Sequence, residues 1–532
     1  MSSSIPIEKP PPTNGERHTL LSETELRLEV PQHTTVVLTL LSGSAEIFGS
    51  ELTLLANTSS TKLTKQSHVI TGHCKFAIFT WHGCTIDVDV EFGKNIDISY
   101  TSDETVSNVV YVNTHAQLEA MRDEALGSYM DPSKDDIPCG PRVLVVGPRD
   151  SGKTSLVKVL TSYAVKLGRT PILVDLDISQ NMLSIPGTIS ASPVTIENIN
   201  PQTNASSSTL MPNTTPLVFW YGSTDLSTNP NLYKSFLDKM GQCIDARLSN
   251  DTNNISSDNA NPQENHTMDA KSSGIIVNGF GWIEDMGYEL IKHAIQALNI
   301  NVVLVMGDDK LYAMISSHYN KMRDQKQKGD SSISEATALP KVIKLPRSGG
   351  VVSRDSGFRR ISRTLCMKQY FYGNSIVPSA TYLNATAASL GPTATAATEG
   401  ISISTSSLVH QYSPSLVELS FADVNIYQIS NVSLTASMLP VSAKQSSEAV
   451  QLTPINDIGL NMKHCMLAVC HPMAVENYER SGEARDLYMA GVTGFVVVEK
   501  VDTTREIISL LSPCAGSLAS STLLQADITW RE

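Results

Sequence analysis

Eight consecutive residues, Gly147-Pro148-Arg149-Asp150-Ser151-Gly152-Lys153-Thr154, fit the pattern G-x-x-x-x-G-K-[ST] at every fixed position. The chemistry of such a segment is phosphate binding. Glycines allow the backbone to turn successive N–H groups toward one anion, and a helix N-terminus adds its partial positive charge. Lys153 would lie on the β- and γ-phosphates of a nucleoside triphosphate and the Thr154 hydroxyl on Mg²⁺. A carboxylate is needed on the far side of the ion, and Asp177, at the end of the apolar run Pro171–Leu176, is placed to supply it or to orient the attacking oxygen. For either carboxylate the competing reading is a strand-end group in water, more so for Asp175. No Asn-Lys-x-Asp guanine-reading motif occurs, which weighs against a GTPase.

The flanking sequence predicts the elements that such a loop requires. Arg142–Val146 is an apolar run bounded by Gly140 and Pro141, as expected of a buried parallel strand. After the loop, Leu156, Val159, Leu160, Tyr163, Ala164 and Leu167 recur at helical spacing and Gly168 supplies a stop. Further apolar runs at 171–177, 274–278 and 301–306, with an amphipathic helix after Trp282, continue the alternation and imply a parallel sheet covered on both faces. Before this region, period-two runs such as Lys75–Trp81 and Thr85–Val90 suggest a small antiparallel β-sandwich. Thr114 reads as the N-cap of a helix carrying Leu118, Met121 and Leu126. Residues 130–140 read as a linker. Beyond Tyr372 the alternation stops, and segments near 417–421, 494–498 and 507–511 read as strands of a smaller C-terminal α+β domain.

The expected organisation is a flexible N-terminus over 1–19, a β-sandwich over 20–113, an α/β nucleotide domain over 114–371 and a C-terminal domain over 372–532. The tracts near 199–216 and 250–273 are rich in Asn, Ser and Thr and poor in large apolar groups, so they are expected to be disordered inserts; 384–407 is expected to be flexible for the same reason. At 532 residues the chain is too long for one core. No apolar stretch approaches the ~20 residues of a membrane span, and residues 1–17 lack a signal-peptide core, so the cytosol or nucleus is expected. Eight scattered cysteines without a C-x-x-C pair argue against a zinc site. The net charge of −13 argues against nonspecific coating of nucleic acid. Against that background Lys341–Arg363 stands out, with seven basic residues to one acid, Asp355.

These motifs, taken with Ser184-Ile185-Pro186-Gly187-Thr188, Gly281-Trp282, Leu345–Val352, Tyr370-Phe371-Tyr372-Gly373, Ala45–Gly49 and Phe79–Cys84, resemble in order and spacing the Clp-type polyribonucleotide 5′-hydroxyl kinase family, a subunit of the pre-mRNA cleavage and polyadenylation machinery. The resemblance covers nearly the whole chain apart from the three polar tracts. It implies an N-terminal β-sandwich, a central kinase-like P-loop domain and a smaller C-terminal domain. It also implies ATP with Mg²⁺ as cofactor, a nuclear location, and partners comprising the scaffold protein of the cleavage complex, other 3′-end processing subunits and RNA 5′ ends. Positions matching the family's nucleotide contacts are Glu25 and Lys75, together with Asp150, Ser151, Gly152, Lys153, Thr154 and Ser155. Arg354 and Arg359 match the lid arginines, suited as planar, permanently charged donors to neutralise a phosphoryl group in transfer. Trp282 matches a tryptophan that stacks on an RNA base.

The chain departs from that pattern on the RNA side. Active kinases of the family usually carry Thr-x-Gly-Trp where this chain has Gly279-Phe280-Gly281-Trp282; Glu284 and Asp285 follow, and Ser179 replaces a Gly. The family includes fungal members that bind ATP without phosphorylating RNA. Two functions are therefore expected. The first is an ATP-binding assembly subunit for mRNA 3′-end formation. The alternative is an active RNA 5′-hydroxyl kinase, with a further role in tRNA splicing, in which Lys153, Asp177, Arg354 and Arg359 act on the γ-phosphate and Thr154 and Asp177 hold Mg²⁺. A simple ATPase motor ranks behind both, because no helicase motif accompanies the loop.

Overall fold

The computed structural model describes residues 16–56, 63–65, 67–91, 96, 98–129, 139–206, 208, 210–253, 270–327, 339–373, 375–376, 409–410, 412–431 and 450–531. These fall into two compact units, one of residues 1–106 with 200–207 and one of 107–199 with 208–532.

The first unit is a β-sandwich. One sheet runs in the order Glu16–Leu20, Cys84–Glu91, Thr35–Gly43, Ser67–Thr71, and the other Ile98–Ser102, Thr24–Val30, Cys74–Thr80, Ala45–Ile47, Ser50–Leu52. Pairing is antiparallel throughout both sheets. Inward residues such as Leu26, Leu28, Val36, Leu38, Ile78 and Ile86 form one buried core. The strand Glu16–Leu20 corrects the expectation of a flexible terminus over 1–19. It is a polar edge strand in which only Leu20 is buried, so it carries no alternating signal, and Arg17 secures it through Asp87 at 2.7 Å. Residues 1–15 lie outside the described residues.

The tract 199–216 is also corrected. Its Asn and Thr side chains bond the local backbone and so substitute for apolar burial. Asn200 accepts from Thr203 N and caps the short helix Pro201–Ala205, whose Ala205 joins the sandwich core and whose Asn204 donates to Phe48 O. Asn198 donates to the carbonyls of Pro212 and Asn213. In the 250–273 tract, one helix continues to Asn253 and the described residues take up again at Ala270. The rest of that tract, the 384–407 tract and most of the expected linker at 130–140 lie outside the described residues.

The second unit is built on a seven-stranded sheet in the order Leu217–Trp220, Thr188–Pro193, Ile172–Asp175, Ile275–Asn278, Arg142–Val146, Val302–Met306, Lys341–Leu345. The last five are mutually parallel, as the alternation predicts. The first two are antiparallel additions at one edge. Strand alternation sends Leu144 and Val146 into one core and Val143 and Val145 into another, which places helices on both faces. The helix before this sheet spans Val106–Tyr129, so Thr114 is not an N-cap: its Oγ1 donates back to Val110 O inside the helix.

The C-terminal part forms a second seven-stranded sheet, 415–420, 507–512, 492–502, 465–470, 522–529, 425–431, 450–454. It shares the larger core with the central sheet, through Phe371 stacked on Trp530 and Trp220 against Phe495, each 5.1 Å between centroids. Gly187 and Gly222 permit the approach, because a Cβ on either would collide with Ile528 or Ala526.

Candidate nucleotide-binding site

In an open parallel sheet, ligands bind at the carboxyl ends of the strands. The phosphate loop leaves Arg142–Val146, flanked by Ile275–Asn278 and Val302–Met306, and its helix Lys153–Lys166 begins on Gly152, left-handed at φ +91°. Asp150 also lies in the left-handed region, at φ +54°. The loop is tight: a Cβ on Gly147 would lie 2.8 Å from Met306 O, and one on Gly152 3.0 Å from Val351 Cγ2.

Lys153 is buried and donates to the carbonyls of Gly147 at 2.9 Å and Pro148 at 2.7 Å. Burial brings its ammonium down to about 8, against the pull of the Asp177 and Asp150 carboxylates. Ser151 is 2% exposed, and its Oγ has no hydrogen-bond partner among the described residues. A buried hydroxyl left without a partner in a phosphate-loop sequence is satisfied by a phosphate oxygen, so the loop fits a nucleoside phosphate. Thr154 and Ser155 are half-buried in the first turn of the helix.

Asp177 lies just beyond its strand, half-buried, with Oδ1 accepting from Ser179 N and Ser179 Oγ. Its charge acts on Lys153, and a Thr154 hydroxyl with one carboxylate would suit Mg²⁺, which takes few protein ligands and keeps water and phosphate. No cluster of three or more His, Cys, Asp or Glu able to hold a metal occurs among the described residues.

Asp175 is not a solvated strand end. It is fully buried and accepts from Met182 N at 2.7 Å, Asp177 N at 3.0 Å and Asn278 Nδ2 at 2.9 Å. Burial and the Asp177 charge push its carboxyl up to about 7 despite those donors. Its role is to fix the strand end from which Asp177 projects.

The basic segment folds over the loop. Asp150 Oδ2 accepts from the backbone N of Arg354 at 3.2 Å and from Arg359 Nη2 at 2.7 Å, so one loop carboxylate tethers the backbone at Arg354 and pairs with the Arg359 guanidinium. The Arg354 guanidinium lies 5.4 Å from the Phe358 ring. The same helix carries Arg363, which the sequence reading did not single out, although its spacing of four from Arg359 was visible. It is half-buried and feels both Arg359 and Asp177.

The RNA-side residues are arranged differently. A Cβ on Gly279 would collide with Val145 O, and one on Gly281 would reach Arg149 at 2.6 Å. Trp282 is half-buried, with its ring over Gly287 at the start of the following helix, and Glu284 and Asp285 beside it are exposed.

In the first unit, Glu25 is buried and accepts from Arg27 Nε at 2.6 Å, while Lys75 pairs with Glu29 across the strands at 2.6 Å. Register puts Glu29 opposite Lys75, and the alternation of strand Thr24–Val30 lines Glu25, Arg27, Glu29 and Lys75 along one sheet face. Arg27 was the member missed, and the alternation was the signal for it.

Comparison with known proteins agrees with this geometry. Three family models match in succession: the N-terminal beta-sandwich domain of polyadenylation factor over 19–125, the mRNA cleavage and polyadenylation factor CLP1 P-loop over 147–373, and the pre-mRNA cleavage complex II protein Clp1 over 412–532. The chain is 32% identical to the polyribonucleotide 5′-hydroxyl-kinase Clp1 of Danio rerio, covering 97% of this chain and 94% of that one. It is 31% identical to the CLP1 homolog of Arabidopsis thaliana, covering 98% and 96%. A solved Clp1p–Pcf11p complex contains a chain of the same fold, at TM-score 0.66 and 20% identity over 98% of this chain and 99% of that one. From its sandwich to its last sheet, this chain belongs to the Clp1 family of mRNA cleavage and polyadenylation factors.

Proposed function

We propose that this protein is an ATP-binding subunit of the nuclear machinery that cleaves and polyadenylates pre-mRNA, and that the nucleotide stabilises the surface on which a scaffold subunit docks. The observation that carries this reading is the phosphate loop itself: a buried Lys153 acted on by the Asp177 charge, a Ser151 hydroxyl with no hydrogen-bond partner among the described residues, and Arg359 paired with Asp150. In this reading Asp150 to Ser155 hold the phosphates, and Thr154 and Asp177 hold Mg²⁺. Relatives support the assignment of partner: two solved structures of this fold are of Clp1p with Pcf11p, and one of them concerns ATP loss in a point mutant. Protein purified without added nucleotide, then denatured and chromatographed, should release ATP. Lys153→Ala should release none and should bind the scaffold fragment more weakly. Undiminished scaffold binding by that variant overturns the assembly role.

A second reading is favoured by the convergence of Lys153, Asp177, Arg354 and Arg359 and by relatives named polyribonucleotide 5′-hydroxyl-kinase. In it the γ-phosphoryl group passes from ATP to an RNA 5′-hydroxyl, with the cations neutralising charge on the group in transfer. It ranks second because Gly279, Glu284, Asp285 and the packed Trp282 offer a polyanion little purchase. Labelled ATP and an RNA oligonucleotide with a free 5′-hydroxyl decide it, and absence of transfer under conditions where a known kinase works removes this reading.

A further inference from the structure

The helix Ser356–Tyr372 crosses the nucleotide site in a register fixed by its contacts. At its start, Arg359 bonds Asp150 of the phosphate loop at 2.7 Å. Two turns on, Cys366 Sγ donates to Ser184 O at 3.8 Å, and Gln369 then accepts from Leu210 N at 2.7 Å. Residues 359, 363 and 366 share one helix face at i, i+4 and i+7, and the intervening Ser362 is 1% exposed. That face runs from the phosphate loop to the 181–188 turn, so Arg363 sits between them, above the segment that carries Asp177.

Electrostatics agree with this placement. Burial and the Arg359 charge press the Arg363 guanidinium down, and Asp177 holds it up, so both groups are close enough to act on it. Arg359 has its counterion in Asp150, and Lys153 has the loop carbonyls. Arg363 has neither a hydrogen bond nor an ion pair among the described residues. A guanidinium carries five donors in a fixed fork that matches phosphate geometry, and leaving it half out of water without an acceptor is unfavourable.

We infer that Arg363 is a phosphate-binding residue that takes the terminal phosphate of the bound triphosphate from the Asp177 side, and so makes this site discriminate ATP from ADP. The inference rests on the nucleotide-binding reading above. Arg359, held by Asp150, is restrained at the loop, whereas Arg363 has no such counterion among the described residues and lies one turn further along the same helix face, within reach of the Asp177 charge.

The test is equilibrium titration of the full chain, stripped of nucleotide, with Mg-ATP and with Mg-ADP. Wild type should prefer ATP. Arg363→Ala should lose about tenfold or more in ATP affinity while ADP affinity stays within about twofold, as expected for one charge-assisted contact to a single phosphate. Retained ADP affinity also shows that the variant is folded, and Arg363→Lys, which keeps the charge but loses the fork, should fall between. An unchanged ATP-to-ADP ratio in Arg363→Ala overturns the inference and leaves the nucleotide-binding reading standing. Wild type that binds neither nucleotide overturns that reading itself.

Discussion

Gly279 stands where active members of the family usually carry threonine, and the structure gives that difference a physical cost. Gly279 N donates to Val145 O at 3.0 Å, continuing the ladder between the phosphate-loop strand and its neighbour. A Cβ at this position would fall well under 3.0 Å from the same Val145 oxygen and 3.5 Å from Val146 Cγ1. Real Cβ atoms do not approach a carbonyl so closely, so the backbone beside the phosphate loop would have to move. Overpacking of this kind costs about 1–3 kcal/mol. A Gly→Ala change in ordinary backbone returns about 0.4–1 kcal/mol by restricting the unfolded chain. Gly279→Ala should therefore lose roughly 0.5–2 kcal/mol, and Gly279→Thr, with two more heavy atoms, more than that. The assay is urea unfolding followed by tryptophan fluorescence, since Trp220, Trp282 and Trp530 all lie in the nucleotide-binding unit. RNA phosphorylation by Gly279→Thr would be measured in parallel and should not rise. A Gly279→Thr protein as stable as wild type, or one that gains transfer activity, refutes the reasoning.

Two other outcomes follow from buried groups. His115 lies against Tyr163 and near Glu119, Arg122 and Lys166, and burial holds its imidazole down at about 4. Between that value and the ordinary 6.5 the unfolded chain binds a proton that the fold excludes, so stability rises with pH through this window and is lost as pH falls; about 2 kcal/mol should disappear between pH 7 and pH 5. His115→Gln should flatten that part of the profile, and equal slopes for the two proteins would contradict the assignment. Gly222, at φ +78°, would bring an added Cβ well under 3.0 Å from Ala526 Cβ; Gly222→Ala should cost about 2–4 kcal/mol from strain plus overpacking. The loss should appear as earlier proteolysis of the C-terminal sheet, and an unaltered cleavage pattern would count against that packing.

Local pattern was a good guide where a single element carries the signal. The strand Arg142–Val146, the loop and the helix Lys153–Lys166 occupy the expected places, because apolar periodicity and glycine spacing are short-range properties. The same logic misled at Thr114, since a threonine that caps a helix from outside can equally bond the preceding turn from within. It misled again at 199–216, where polarity suggested no structure but Asn198 and Asn200 organise the backbone. Polar side chains specify a loop through individual hydrogen bonds, and composition does not register them.

The sequence by itself determined that a phosphate-loop motif sits on a parallel sheet, that sandwich strands precede it, and that a basic segment follows. These depend on residue type and spacing over a few turns of chain. Only the tertiary structure decided that Asp150 holds the Arg354 backbone and the Arg359 guanidinium, that Asp175 is buried and bonded by the Asp177 N–H, and that the last sheet shares its core with the central one. Those contacts join residues up to several hundred positions apart, and the entropy of closing such loops is met by burial summed over the whole unit, so no local window of sequence contains them.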